Sequence, residues 1–137
     1  MGAAYVLSTI TALLAQAVAA QGRDDEAAAL VDAGQSVTGE DDVASKMLLA
    51  SVRSGVLVRR GEIDAGFTEA RRAVELVADA DATAVRADGL FALADACVAA
   101  GDHAGAAAAL EQVAAECAAK GFLVSEQRAR RRLELVR

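Results

Sequence analysis

The sequence predicts an all-α fold laid out as a helical solenoid, and three observations carry that prediction. Ala makes up roughly a quarter of the 137 residues, so helix propensity is high almost throughout. Pro is absent, and no β-branched run alternates with polar residues as a strand would require. Finally, one short phrase recurs three times: QGRDDEA at Gln21–Ala27, RGEIDAG at Arg60–Gly66 and AGDHAGA at Ala100–Ala106. Each copy ends a small-residue helical pattern at a Gly, places an acid within a few positions and opens a second helix. The glycines Gly22, Gly61 and Gly101 are 39 and 40 residues apart, and a fixed period of this size marks stacked helical repeats.

A chain of this length fits one domain, residues 1–137, burying about 65–70% of the surface its unfolded form exposes. Three Phe, one Tyr and no Trp leave a core of small side chains, so the helices must approach closely. The net charge of −6 is uneven: residues 1–45 carry one basic and seven acidic side chains, and residues 121–137 five basic and two acidic. A general nucleic-acid binder needs a basic excess over a whole face, so the acidic balance argues against that role.

The first repeat spans about 3–37. Its opening helix is the uncharged stretch Ala3–Ala20, which has the length of a short membrane span and contains a signal-cleavage-like Ala17-Val18-Ala19. It lacks a basic leader, carries Ser8, Thr9, Thr11 and Gln16, and runs into the Gly22 phrase as its counterparts do, which favours a buried first helix. The second helix starts near Arg23, with Asp24, Asp25 and Glu26 in the turn where the helix dipole favours anions, and is expected to stop at a Gly34 C-cap. The second repeat, about 41–79, begins near Asp41, runs through Leu48, Val52 and Val58 to Gly61, and returns over about Glu62–Ala78. The third, about 81–120, carries Val85, Leu90, Phe91 and Cys97 before Gly101, then a helix from Asp102 to about Lys120. Gly121 is a stop, and a capping helix follows over about 122–137.

At this point the residues resemble the tetratricopeptide family. Counting from each Gly, that family places a large apolar residue eight before, a small one seven before, a bulky one four before and Ala five after. The first copy supplies Leu14, Ala15, Val18 and Ala27, and the third Leu93, Ala94, Cys97 and Ala106. The second supplies Arg53, Ser54, Leu57 and Gly66, departing at its first and last positions. The aromatic residues and terminal Pro of the usual pattern are missing, and the period exceeds the usual 34. From Ser51 to Leu133 the chain also resembles the C-terminal helical-repeat arrays of large actinobacterial ATPase or cyclase-type regulators. The resemblance implies a right-handed superhelix, a bacterial scaffold or sensor module, and a concave groove lined by the first helix of each pair.

Carried over position by position, the implied groove comprises Thr9, Leu13 and Gln16, then Leu48, Val52, Val58 and Arg59, then Asp88, Phe91, Asp95 and Val98. This is an apolar floor with two acids at one end, suited to an apolar or partly basic helix or peptide, including a segment of a second copy. Leu48, Val52 and Phe91 read equally well as core.

Little else in the sequence carries chemistry. Cys97 and Cys117 sit on consecutive helices at different heights, so they are expected as two free, buried thiols in a reducing, cytoplasmic setting. His103 lies in a helix-starting turn with no second ligand at metal spacing. Asp79, Asp81 and Thr83 echo a calcium loop, but Ala84 and Leu90 replace its essential Gly and Glu. Neither a catalytic site nor a cofactor is expected. The arginines Arg128, Arg130, Arg131, Arg132 and Arg137 suit either an anionic partner or a capping helix whose cations complement the dipole, and the cap is the simpler reading. The expected role is a non-catalytic protein-binding module without nucleic-acid or membrane partners, with a ligand-sensing fragment of a larger regulator as the alternative.

Overall fold

A computed structural model describes residues 2–137. Among the described residues there are seven helices and no strand: α1 Gly2–Ala20, α2 Asp24–Val37, α3 Val43–Arg59, α4 Ile63–Leu76, α5 Thr83–Ala99, α6 His103–Lys120 and α7 Leu123–Val136. Each helix folds back on the one before it, while α1 also lies beside α3, α3 beside α5 and, more lightly, α5 beside α7.

One turn is built four times, three of them by the recurring Gly phrase. Gly22, Gly61, Gly101 and Gly121 all have φ between 76° and 84°, a left-handed conformation in which a Cβ is costly. At each, the Gly N–H and the next N–H reach back to the closing helix. Gly101 N donates to Val98 O at 3.0 Å and Asp102 N to Cys97 O at 2.8 Å, with matching pairs at the other three turns. This is the Schellman arrangement, which satisfies carbonyls orphaned at the helix end. The residue after each Gly (Arg23, Glu62, Asp102, Phe122) has φ near −85° and ψ of 64–77°, and serves as N-cap of the following helix. One Gly and one extended residue therefore reverse the chain.

The core divides along the chain. Ala12, Ala15 and Val18 of α1 meet Ala27 and Val31 of α2 and Leu49, Val52 and Val56 of α3. Met47 and Ala50 of α3 meet Ala73 of α4 and the neighbouring Val77. Leu90, Phe91 and Ala94 of α5 meet Leu110, Val113 and Cys117 of α6 and Ala129 and Leu133 of α7. Burying a Leu or Val side chain contributes about 1.5–3 kcal/mol and a methyl group only about 0.8, so the abundant buried Ala matter mainly by letting helices come close.

Two expectations are corrected. Gly34 does not end α2, which continues to Val37; Thr38 closes it, its N and Oγ1 both donating to Gly34 O at 3.0 and 2.7 Å. Gly34 is instead buried where a Cβ would stand 2.8 Å from Leu49 Cδ2 and 3.3 Å from Thr11 Cγ2. A close crossing of α1, α2 and α3 thus requires a Gly that reads locally as a terminator. Likewise, α4 ends at Leu76 rather than near Ala78.

The irregular second repeat has a structural account. Gly66 lies buried against α3, and a Cβ there would sit 2.7 Å from Val58 Cγ2 and 3.0 Å from Ser54 O. Arg53, standing where the other repeats have Leu14 and Leu93, reaches across to Asp32 and Gln35 of α2. It makes a polar link between helices where, in the third repeat, Leu93 packs against the core.

Candidate functional site

The side-by-side odd helices leave a shallow cavity of about 250 Å³ on one face of the molecule. Its floor comes from the C-terminal end of α1, most of the length of α3 and the middle of α5, where successive odd helices present residues at the same height in their repeats. Gln16, Gly55 and Asp95 each stand six residues before their turn Gly, and all three line it. Of the expected groove residues, Gln16, Leu48, Val52, Arg59, Asp88, Phe91 and Asp95 line this cavity. Val52 and Phe91 do so while being 7% and 5% exposed, so they belong to the core and present only an edge.

The structure does not bring the other four into the cavity. Thr9 is turned toward its own helix and α3, donating to Tyr5 O at 3.1 Å and lying 3.4 Å from Ser45 Oγ. Val58 faces α4 at the Gly66 crossing. Val98 is exposed near the end of α5, and Leu13 is exposed on α1 away from the cavity lining. Helical spacing fixes a residue's direction only to within the width of a face, and these four lie at its margins.

Of the charged side chains lining the cavity, Arg59 and Asp95 are paired within the chain. Arg59 holds the Asp24 carboxylate in a fork, Nε at 2.9 and 3.0 Å and Nη2 at 2.7 Å. The hydrogen bond from Arg59 keeps the Asp24 carboxyl below its ordinary range. Arg59 passes over Gly55, its Nη1 3.1 Å from where a Cβ would stand, so Gly55 makes room for the guanidinium.

At the opposite side, α7 contributes what the sequence reading missed. The Arg128 guanidinium lies 4.2 Å from the Phe91 ring centroid, and Arg132, 5.5 Å from the same ring, pairs with Asp95. Loss of solvent around the Asp88 carboxyl pushes its pKa up, and the charge of Arg128 opposes that shift. The signal was in the period: Arg128 stands 40 residues after Asp88, so extending the repeat once more places it beside the groove. Of the remaining arginines of the tail, Arg130 pairs with Glu126 and Arg137 with Glu111.

Residues with nucleophilic or ligating chemistry do not converge here. Cys97 and Cys117 are free and buried in the α5–α6–α7 region. Burial pushes both thiols up, with Asp102 adding at Cys97 and Glu116 at Cys117. His103 is exposed at the first position of α6. Among the described residues no three His, Cys, Asp or Glu side chains gather as a metal site would require.

The chain matches no known family model and no curated protein.

Proposed function

We propose that this chain is a non-catalytic, tetratricopeptide-like module: a right-handed solenoid of three helix pairs and a capping helix, holding a partner's helix or extended peptide in its concave groove. The observation that carries the reading is the cavity across α1, α3 and α5, lined by residues at equal heights in successive repeats. Side-by-side packing of α1 on α3 and α3 on α5 is what a superhelix of helix pairs needs. Half-buried Leu48 and Ser51 and the edges of Val52 and Phe91 offer an apolar strip. Asp95 is engaged by Arg132, which leaves the apolar strip and the Asp88 carboxylate to meet the guest.

The alternative, a small-ligand sensor within a larger regulator, is less well supported. Small-molecule sites usually enclose about 300–1,000 Å³, whereas this cavity is near 250 Å³ and shallow.

A random peptide library selected on the intact chain tests the proposal. Binders should lose affinity at least tenfold for Ser51→Arg, which fills the groove, while the variant keeps the parent's melting curve. Selection of no groove-dependent peptide, with a metabolite screen raising the melting temperature instead, would favour the sensor.

A further inference from the structure

α1 buries Ser8, Ala12, Ala15 and Val18 and leaves its opposite side bare. Val6, Leu7, Ile10, Leu13 and Leu14 are each 48–56% exposed. With exposed Ala3 and Ala17 they fall at spacings of three and four, forming one uninterrupted stripe along the helix. No charged residue occurs between Gly2 and Ala20. The same face is a docking face elsewhere in the chain. Shifted by the repeat offsets of 39 and 79 residues, Ile10 and Ala17 correspond to Leu49 and Val56 in α3 and to Gly89 and Ala96 in α5, all four buried.

The stripe is also close to palindromic. About Ile10 it reads the same in both directions by size: Ala3 balances Ala17, Val6 balances Leu14, and Leu7 balances Leu13. Small residues mark both ends and bulky ones the centre. In an antiparallel crossing about Ile10 each residue meets its mirror position on the other copy, so the small ends face each other and the bulky residues pack at the centre. We propose that the outer face of α1 is a homodimer interface, with α1 crossing α1 of a second copy antiparallel about Ile10.

Area and chemistry agree with a second copy. The bare apolar surface is on the order of 500 Å² per chain and about 1,000 Å² for two, where specific interfaces begin. Although α1 is long and apolar enough to cross a membrane by length and composition, its inner face holds the buried Ser8 Oγ to Asp42 Oδ2 hydrogen bond of 2.6 Å, which a span would break. A helix lying on a bilayer surface normally carries Lys or Arg along its polar side, and α1 has neither.

Sedimentation equilibrium on the intact chain across the micromolar range should give the mass of two copies. Ile10→Lys, which brings two ammonium groups together on the two-fold axis, should give the mass of one with unchanged helical circular dichroism. An independent arm uses oxidation, to which the buried native thiols contribute little. Ile10→Cys should link to itself, and Ala3→Cys should link to Ala17→Cys in a mixture in preference to itself. A parent of single-copy mass, Ala3→Cys linking mainly to itself, or a parent that floats with phosphatidylcholine vesicles unless Ile10 is changed to Lys, overturns the proposal.

Discussion

The Ser54 hydroxyl donates a 2.7 Å hydrogen bond to the carbonyl oxygen of Gly66, a buried contact made where α3 and α4 come closest. The two residues occupy the small positions of the second repeat; both are buried, and a Cβ at Gly66 would stand 3.0 Å from Ser54 O. Gly66→Ala is expected to lower stability by about 1–2 kcal/mol, the overpacking cost exceeding the helix-propensity gain. Gly39, with open space around its α-carbon and an ordinary φ, serves as control: Gly39→Ala should be neutral or slightly stabilising. Urea denaturation of both variants checks the pair. Equal midpoints would contradict the close crossing.

The repeated turns fail for a different reason. At Gly101 nothing lies within 4 Å of a prospective Cβ, so any penalty there comes from the positive φ rather than from crowding. Gly101→Ala should cost about 1 kcal/mol, with Gly101→Asn costing less because Asn tolerates the left-handed region better. Thermal melts should rank the parent above Asn and Asn above Ala. An Ala variant as stable as the parent would mean the turn can relax out of this conformation.

Asp42 links the first repeat to the second. Its Oδ1 accepts from Ser45 N at 3.1 Å as the N-cap of α3, and its Oδ2 accepts from Ser8 Oγ at 2.6 Å. Burial pushes this carboxyl up, but the bonds from Ser8 and Ser45 and the charge of Lys46 outweigh it, leaving its pKa below the ordinary value. A depressed folded-state pKa means the unfolded chain binds the proton first. The stabilisation is therefore complete above the unfolded value of about 3.9 and is lost as pH falls through the lower folded value. Asp42→Asn should destabilise at pH 7 by about 0.5–2 kcal/mol, the usual range for a weakened cap. Its deficit relative to the parent should shrink below about pH 4. A deficit that stays constant with pH would show that the charge is not what the cap uses.

Cys97 and Cys117 are buried with their thiols pushed above the ordinary range. Little thiolate forms at pH 8, and a disulfide reagent has no path to it. Ellman's reagent should react slowly with the native chain and release two equivalents once guanidinium is added. Rapid reaction of either thiol in the folded chain would indicate that the α5–α6–α7 core opens readily.

Much of the architecture is written in local residues. A helix end needs Gly where the backbone turns left-handed, so Gly22, Gly61 and Gly101 were legible as turns and show positive φ. The acids after them mark helix starts for an equally local reason, although only Asp102 of the three turn N-caps accepts a hydrogen bond from the following backbone. Gly34 was misread because a Gly used for close packing and a Gly used to end a helix look alike without the neighbour that decides between them, here Leu49.

The candidate site divides along the same line. Periodicity put Gln16, Leu48, Asp88 and Asp95 on one side of their helices, and they line a common cavity. It could not show that Val58 turns to Gly66, that Arg59 lies over Gly55 held by Asp24, or that Arg128 reaches from α7 to Phe91. Such contacts join residues 4 to 37 positions apart, and a helix face about 100° wide leaves each long side chain a choice of neighbours. By itself, then, the sequence determined where the chain forms helices and where it turns, because propensity, capping and left-handed backbone are properties of a few adjacent residues. Only tertiary structure decided which small residues are crossings, which charges are paired and which face of α1 stays bare, because those depend on the distance between helices.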